Sequence, residues 1–82
     1  MILEILTPEK TLFSGTVDSV TLPGVGGNFT VLRNHAPIIA ALKKGIIKFS
    51  ENDLPVGRIE IESGFCEVFN NEIYVCVEKA EN

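Results

Sequence analysis

Apolar residues come along this chain in short bursts, each ended by Gly, Pro or Asn. Ile2–Leu6 stops at Thr7-Pro8, and Val17–Leu22 stops at Pro23-Gly24-Val25-Gly26-Gly27. Phe29–Leu32, Ile46–Ser50, Arg58–Ser63, Phe65–Phe69 and Glu72–Glu78 continue the series. That rhythm predicts strands. In Arg58–Ser63 the alternation is clean, with Ile59 and Ile61 on one face and Arg58, Glu60 and Glu62 on the other. Only Pro37–Lys44 has room for a turn of helix, and its apolar residues are continuous, which predicts a strand covered on both sides. The whole pattern predicts an all-β chain of eight to ten short strands in two packed sheets, a β-sandwich.

The last two runs fix a register. If Asn70-Asn71 is a two-residue turn, Cys66 lies opposite Val75 and Phe65 opposite Cys76. Opposed residues share a face, and neighbours along a strand alternate. One face then carries Cys66, Val68, Ile73, Val75 and Val77, a core set. The other carries Phe65, Glu67, Phe69, Glu72, Tyr74, Cys76 and Glu78, where aromatics mixed with acids suit a half-exposed or partner-binding surface. Cys66 and Cys76 point to opposite faces, so no disulfide joins them.

Composition narrows the class. The 82 residues are one domain, 1–82, with 45% hydrophobic and 22% charged side chains, globular rather than disordered. Two cysteines without a Cys-x-x-Cys pair and a single histidine are too few for a structural zinc site. No stretch reads as a signal peptide or reaches the length of a membrane span, so a cytosolic, reducing location is expected. The net charge of −4 argues against nucleic acid as a partner. It is uneven: residues 1–50 carry +2 and residues 51–82 carry −6.

Candidate chemistry is sparse. His35 has no nucleophile or acid close in sequence, and none of Ser14, Ser19, Ser50 and Ser63 stands in a Gly-x-Ser-x-Gly elbow. The carboxylates alternate outward on strands, where solvated charge belongs. Pro23–Gly27 lacks the glycine spacing and the following Lys-Ser/Thr of a phosphate loop and reads as a hairpin turn. No catalytic residue, metal ligand or cofactor is expected. One binding-module alternative is a small carrier of the lipoyl or biotinyl type, with Lys43-Lys44-Gly45 as the only stretch able to display a modified lysine.

The order of Leu12-Phe13-Ser14-Gly15, Gly27, Val31-Leu32, His35-Ala36-Pro37, Leu42, Gly45 and Ser63-Gly64-Phe65-Cys66-Glu67-Val68 resembles the epsilon subunit of F-type ATP synthases. The likeness runs from Ile2 to about Ala80. Thr30 stands where that family often has Gly, Arg33 where it often has Pro, and Asn28 where some members have an acid. The resemblance implies a sandwich of about ten strands in the central stalk of the rotor. It implies a non-catalytic part of a proton-translocating synthase, peripheral to the bacterial plasma membrane on its cytoplasmic side. It implies gamma-subunit contacts near Thr7, His35 and Ala40, and contacts with the c-ring around Gly27 and Asn28. His35 would then serve as a docking corner, with Pro37 keeping Ala36 out of helix. Relatives usually continue into a C-terminal helical hairpin, which this sequence, ending at Asn82, is expected to lack.

Overall fold

The computed structural model describes residues 1–80; the last two residues of the expected domain, Glu81 and Asn82, lie outside the described residues. Eight strands follow one another: β1 (Ile2–Leu6), β2 (Thr11–Thr16), β3 (Ser19–Gly24), β4 (Gly27–Leu32), β5 (Ile38–Leu42), β6 (Gly45–Glu51), β7 (Leu54–Phe69) and β8 (Glu72–Lys79). The all-β reading therefore holds, with eight strands among the described residues. Arg58–Ser63 and Phe65–Phe69, read as separate runs, are parts of the single 16-residue β7.

β7 organises the architecture. Its first half pairs with β6, which pairs in turn with β3, and β3 with β4; these strands form layer A. Its second half lies between β5 and β8, and β8 continues to β1 and β2; these form layer B. A register shift between Ile61 and Ser63 marks where β7 passes from one layer to the other. β3 and β5 pair only at Gly24 and Leu42. One buried cluster holds Val20, Leu22, Val31, Ile47 and Phe49 from layer A and Leu3, Ile5, Cys66, Val68, Ile73 and Val75 from layer B. Non-directional burial of these alternating side chains holds the layers face to face. The rings of Phe13 and Phe49 meet across the gap at 4.4 Å between centroids, tilted by 45°.

The β7–β8 register is the one expected. Phe65 faces Cys76, Cys66 faces Val75 and Val68 faces Ile73. Asn70 and Asn71 take φ of 50° and 62°, the left-handed pair that a two-residue hairpin turn requires. Cys66, Val68, Ile73, Val75 and Val77 are all buried, and both cysteines are free.

Two expectations need correction. β2 is absent from the series of alternating runs. A bulge against Ile5 and Leu6 leaves Leu12 without an opposite residue, so Leu12 and Phe13 both pack on the core and the alternation is lost. β5 was expected to be covered on both sides. It lies at the edge of layer B with the outer face open, and Ile39 is 76% exposed.

Candidate docking surfaces

Register carries the side chains of layer B into rows. Ile39 lies beside Glu67, then Tyr74, Glu4 and Ser14 on successive strands. The next row holds Ala41, Phe65, Cys76 and Leu6, and a third holds Phe69, Glu72 and Ile2. All three rows face outward, because the intervening residues are the buried ones. Ile39, Phe69, Phe65, Ile2 and Tyr74 each leave more than two-fifths of their surface in solvent. The outer face of layer B is thus an apolar sheet surface interleaved with Glu4, Glu67 and Glu72. Isolated apolar residues on a surface are ordinary; five on one sheet face form a patch of the kind that partners cover. A shallow cleft of about 410 Å³ opens at one end among Pro37, Ile39 and Phe69.

Tyr74 and Cys76 meet in the middle of this face. Desolvation, then the charge and hydrogen bond of Cys76 and the charge of Glu4, hold the Tyr74 phenol above its usual value. Burial likewise raises the Cys66 thiol on the inner face, against a smaller opposing hydrogen bond with the Ala40 backbone.

Thr7, His35 and Ala40 all border layer B but at separate places. Thr7 ends β1, where its hydroxyl accepts hydrogen bonds from the N–H groups of Glu9 and Lys10 and donates to the Lys10 carbonyl. Leu6, Thr7, Tyr74 and Cys76 line a groove there. His35 lies at the other end of the layer. Its ring Nδ1 is 2.6 Å from the Ala36 carbonyl oxygen. A carbonyl only accepts, so Nδ1 carries the hydrogen. Asn34, just before it, donates its N–H to Asn71 Oδ1, and Asn71 also accepts from the Ile2 N–H. Thr7 and His35 are therefore separated by about the length of β1, roughly 17 Å at the rise of a strand. Ala40 stands midway along β5 opposite Cys66, on the inward row; Ile39 and Ala41 carry that strand's outer face.

Gly27 and Asn28 belong to layer A. Gly24 pairs with Gly27, so Val25-Gly26 is a two-residue hairpin loop, and Gly27 holds φ at 128°, open to glycine alone without strain. The tip exposes Val25, Gly26, Gly27 and Asn28. Two backbone bonds brace it, Val25 N–H to the Ala41 carbonyl at 3.0 Å and Lys43 N–H to the Pro23 carbonyl at 2.9 Å. Lys43 and Lys44 consequently lie beside the tip, whereas Arg33 is at the far end near Asp18 and Lys48 is on the outer face of layer A. The structure separates Gly27 and Asn28 from His35 by the length of β4, roughly 20 Å. β5 and β6 do not pair with each other, so Lys43-Lys44 is a crossover between layers. A carrier module would display its lysine on a hairpin. Among the described residues no group of three or more His, Cys, Asp or Glu side chains is placed to hold a metal ion.

The fold defines the class, a small β-sandwich module with an exposed apolar sheet face. Comparison with known proteins gives the particular family. The family described as ATP synthase, Delta/Epsilon chain, beta-sandwich domain, matches residues 1–82, and the chain belongs to it. The ATP synthase epsilon chain of Chlorobium limicola is 43% identical over 76 residues, which are 93% of this chain and 86% of that one. The epsilon chain of Desulfatibacillum aliphaticivorans is 42% identical over 81 residues, 99% of this chain but 57% of its own length. A chain in the cryo-EM structure of the Euglena gracilis mitochondrial ATP synthase, OSCP/F1/c-ring, superposes with a TM-score of 0.89 at 19% identity, over 99% of this chain and 52% of that one. One in the Tetrahymena thermophila mitochondrial ATP synthase central stalk/c-ring gives 0.79 at 16%, over 95% of this chain and 63% of that one. These two likenesses concern the fold.

Proposed function

We propose that this chain is a non-catalytic rotor part of the central stalk in a proton-translocating F-type ATP synthase, coupling ion-driven rotation to ATP synthesis. It sits at the cytoplasmic side of a bacterial plasma membrane, held there through the complex. The observation that carries this is membership of the epsilon-chain family along the whole chain, with identity above two-fifths to a bacterial epsilon chain.

The gamma subunit is assigned to the outer face of layer B. Thr7 and His35 mark the two ends of that face, and the Ala40 strand its edge. Gamma would cover Ile39, Phe65 and Phe69, the apolar centre, and leave the glutamates at the rim. The c-ring is assigned to the braced hairpin tip at Gly27 and Asn28. The distance between the two surfaces supports this division, since a coupling must hold two bodies at once. A sheet-on-sheet core resists shear well enough to pass torque between them.

Co-purification from native membranes tests the reading. A tagged chain is expected to bring down both gamma and the c-ring. A chain recovered alone, or one whose mass carries a covalent lipoyl or biotinyl group, would refute it.

A further inference from the structure

The outer face of layer A carries a feature that neither docking surface uses. One row crosses four strands there: Thr30, Thr21, Lys48 and Arg58. Lys48 and Arg58 stand directly opposite each other on β6 and β7, both exposed. Like charges in that arrangement repel. The chain carries a net charge of −4, yet its carboxylates do not neutralise this pair. The one ion pair among the described residues is Arg33 with Asp18, at the far end of the layer. Asp53 lines the same groove, and Glu60 follows Arg58 by two positions on the same face, but neither forms an ion pair with Lys48 or Arg58.

Hydroxyls complete the surroundings. Thr21 and Thr30 share a hydrogen bond of 2.9 Å, and Ser19 and Ser50 one of 2.7 Å. Each such pair uses one of its two hydroxyl hydrogens and leaves the other free to donate. The register shift between Phe49 and Ser50 pairs Phe49 with Gly57 and Ser50 with Pro55, leaving Val56 without an opposite residue. A groove of about 490 Å³ lies here, lined by Ser19, Thr21, Lys48, Ser50 and Arg58 together with Asp53 and the apolar Pro55 and Val56.

We propose that this groove binds a phosphate-type oxyanion. Arg58 offers a planar fork of donors, Lys48 a point charge, and the free hydroxyl hydrogens reach the remaining oxygens. A tetrahedral phosphate group with anionic oxygens would relieve the repulsion between the two cations. Free phosphate and the phosphate headgroup of a lipid offer the same chemistry. The inference does not rest on docking to gamma or to the ring.

The test is a titration of the full chain with sodium phosphate, with sodium chloride adjusted to constant ionic strength, followed by amide NMR. Saturable shifts are expected at Thr21, Lys48, Ser50, Gly57 and Arg58. The double variant Lys48→Gln/Arg58→Gln should bind about tenfold or more weakly, as expected for loss of charge-assisted hydrogen bonds. Both positions are exposed, so the variant should fold and, without phosphate, melt no lower than the parent. Co-sedimentation with phosphatidylglycerol vesicles, against phosphatidylcholine vesicles, assigns the source. Pelleting that needs Lys48 and Arg58 and is displaced by phosphate identifies a headgroup site; phosphate binding without pelleting identifies a site for the free anion. Shifts reproduced by chloride alone, or a double variant that titrates like the parent, would overturn the proposal.

Discussion

The main-chain N–H of Asn34 donates to the side-chain Oδ1 of Asn71 over 2.9 Å, joining positions 37 residues apart. Through it the corner that carries His35 is fastened to the tip of the β7–β8 hairpin. Asn71 does two things there, because its own φ of 62° also shapes the turn. Asn71→Gly keeps the turn and removes the acceptor. It should cost about 1 kcal/mol, the net worth of one hydrogen bond. Amide exchange at Asn34 and His35 should accelerate more than elsewhere. Asn71→Asp, which retains the acceptor, should restore the protection; equal exchange in both variants would show that the corner holds itself.

Gly64 and Gly26 should respond in opposite ways to alanine. A Cβ at Gly64 would run into the Cys76 carbonyl and stand 3.1 Å from Val77 Cα, both main-chain atoms that cannot swing aside. Gly64→Ala should therefore part β7 from β8 and destabilise by about 1–3 kcal/mol, as overpacking does. A Cβ at Gly26 meets nothing within 4 Å, so Gly26→Ala should be neutral or slightly stabilising. Urea denaturation of the two variants side by side checks the contrast.

The two thiols should behave differently. Cys66 is buried, and burial raises its pKa, so the folded chain holds that proton more tightly than the unfolded chain does. The resulting stability is present below the ordinary thiol value, about 8.5, and is lost as pH rises from there through the folded value. Melting temperature should decline over this range, and Cys66→Ala should flatten the decline. Tyr74, raised in the same sense, adds a further loss at higher pH that Tyr74→Phe removes. In native buffer iodoacetamide should label the half-buried Cys76 and spare Cys66 until the chain unfolds.

Surface variants should separate the two assigned partners. Ile39→Asp and Phe69→Ser replace exposed side chains, so each should change stability by no more than about 0.5 kcal/mol. Both should strongly reduce recovery of gamma. Val25→Asp, at the hairpin tip, should spare gamma and reduce recovery of the c-ring. Lys43→Gln/Lys44→Gln, beside the tip, should leave assembly unchanged at low and high salt if these charges serve only solubility. Pull-downs quantified for both partners read all four, and loss of the same partner from every variant would contradict the division.

What the sequence revealed depended on how local the cause was. The β7–β8 register was readable because a two-residue Asn-Asn turn determines every pair after it. The buried and exposed faces of that hairpin followed from the same step. β2 was not readable, since its bulge depends on β1. The extent of β7 was hidden by Pro55 and Gly57, residue types that interrupt a strand pattern, although β6 pairs with both. Near the assigned ring surface, Pro23–Gly27 announced a hairpin turn by composition. The direction of Ala40 did not show, because it follows from pairing with Cys66 on a strand 26 positions away. The exposure of Ile39 was missed for a related reason: an unbroken apolar run says nothing about whether a second layer lies over it.

The passage of β7 through both layers has a mechanical meaning. A force applied to β5 or β8 reaches β6 through the hydrogen-bonded ladders on β7 and the peptide bonds of β7 itself, without relying on greasy side chains to transmit it. The halves cannot slip past one another unless this strand itself stretches or its ladders tear. Pulling the molecule apart across the two layers should thus yield one abrupt rupture, with no earlier slide.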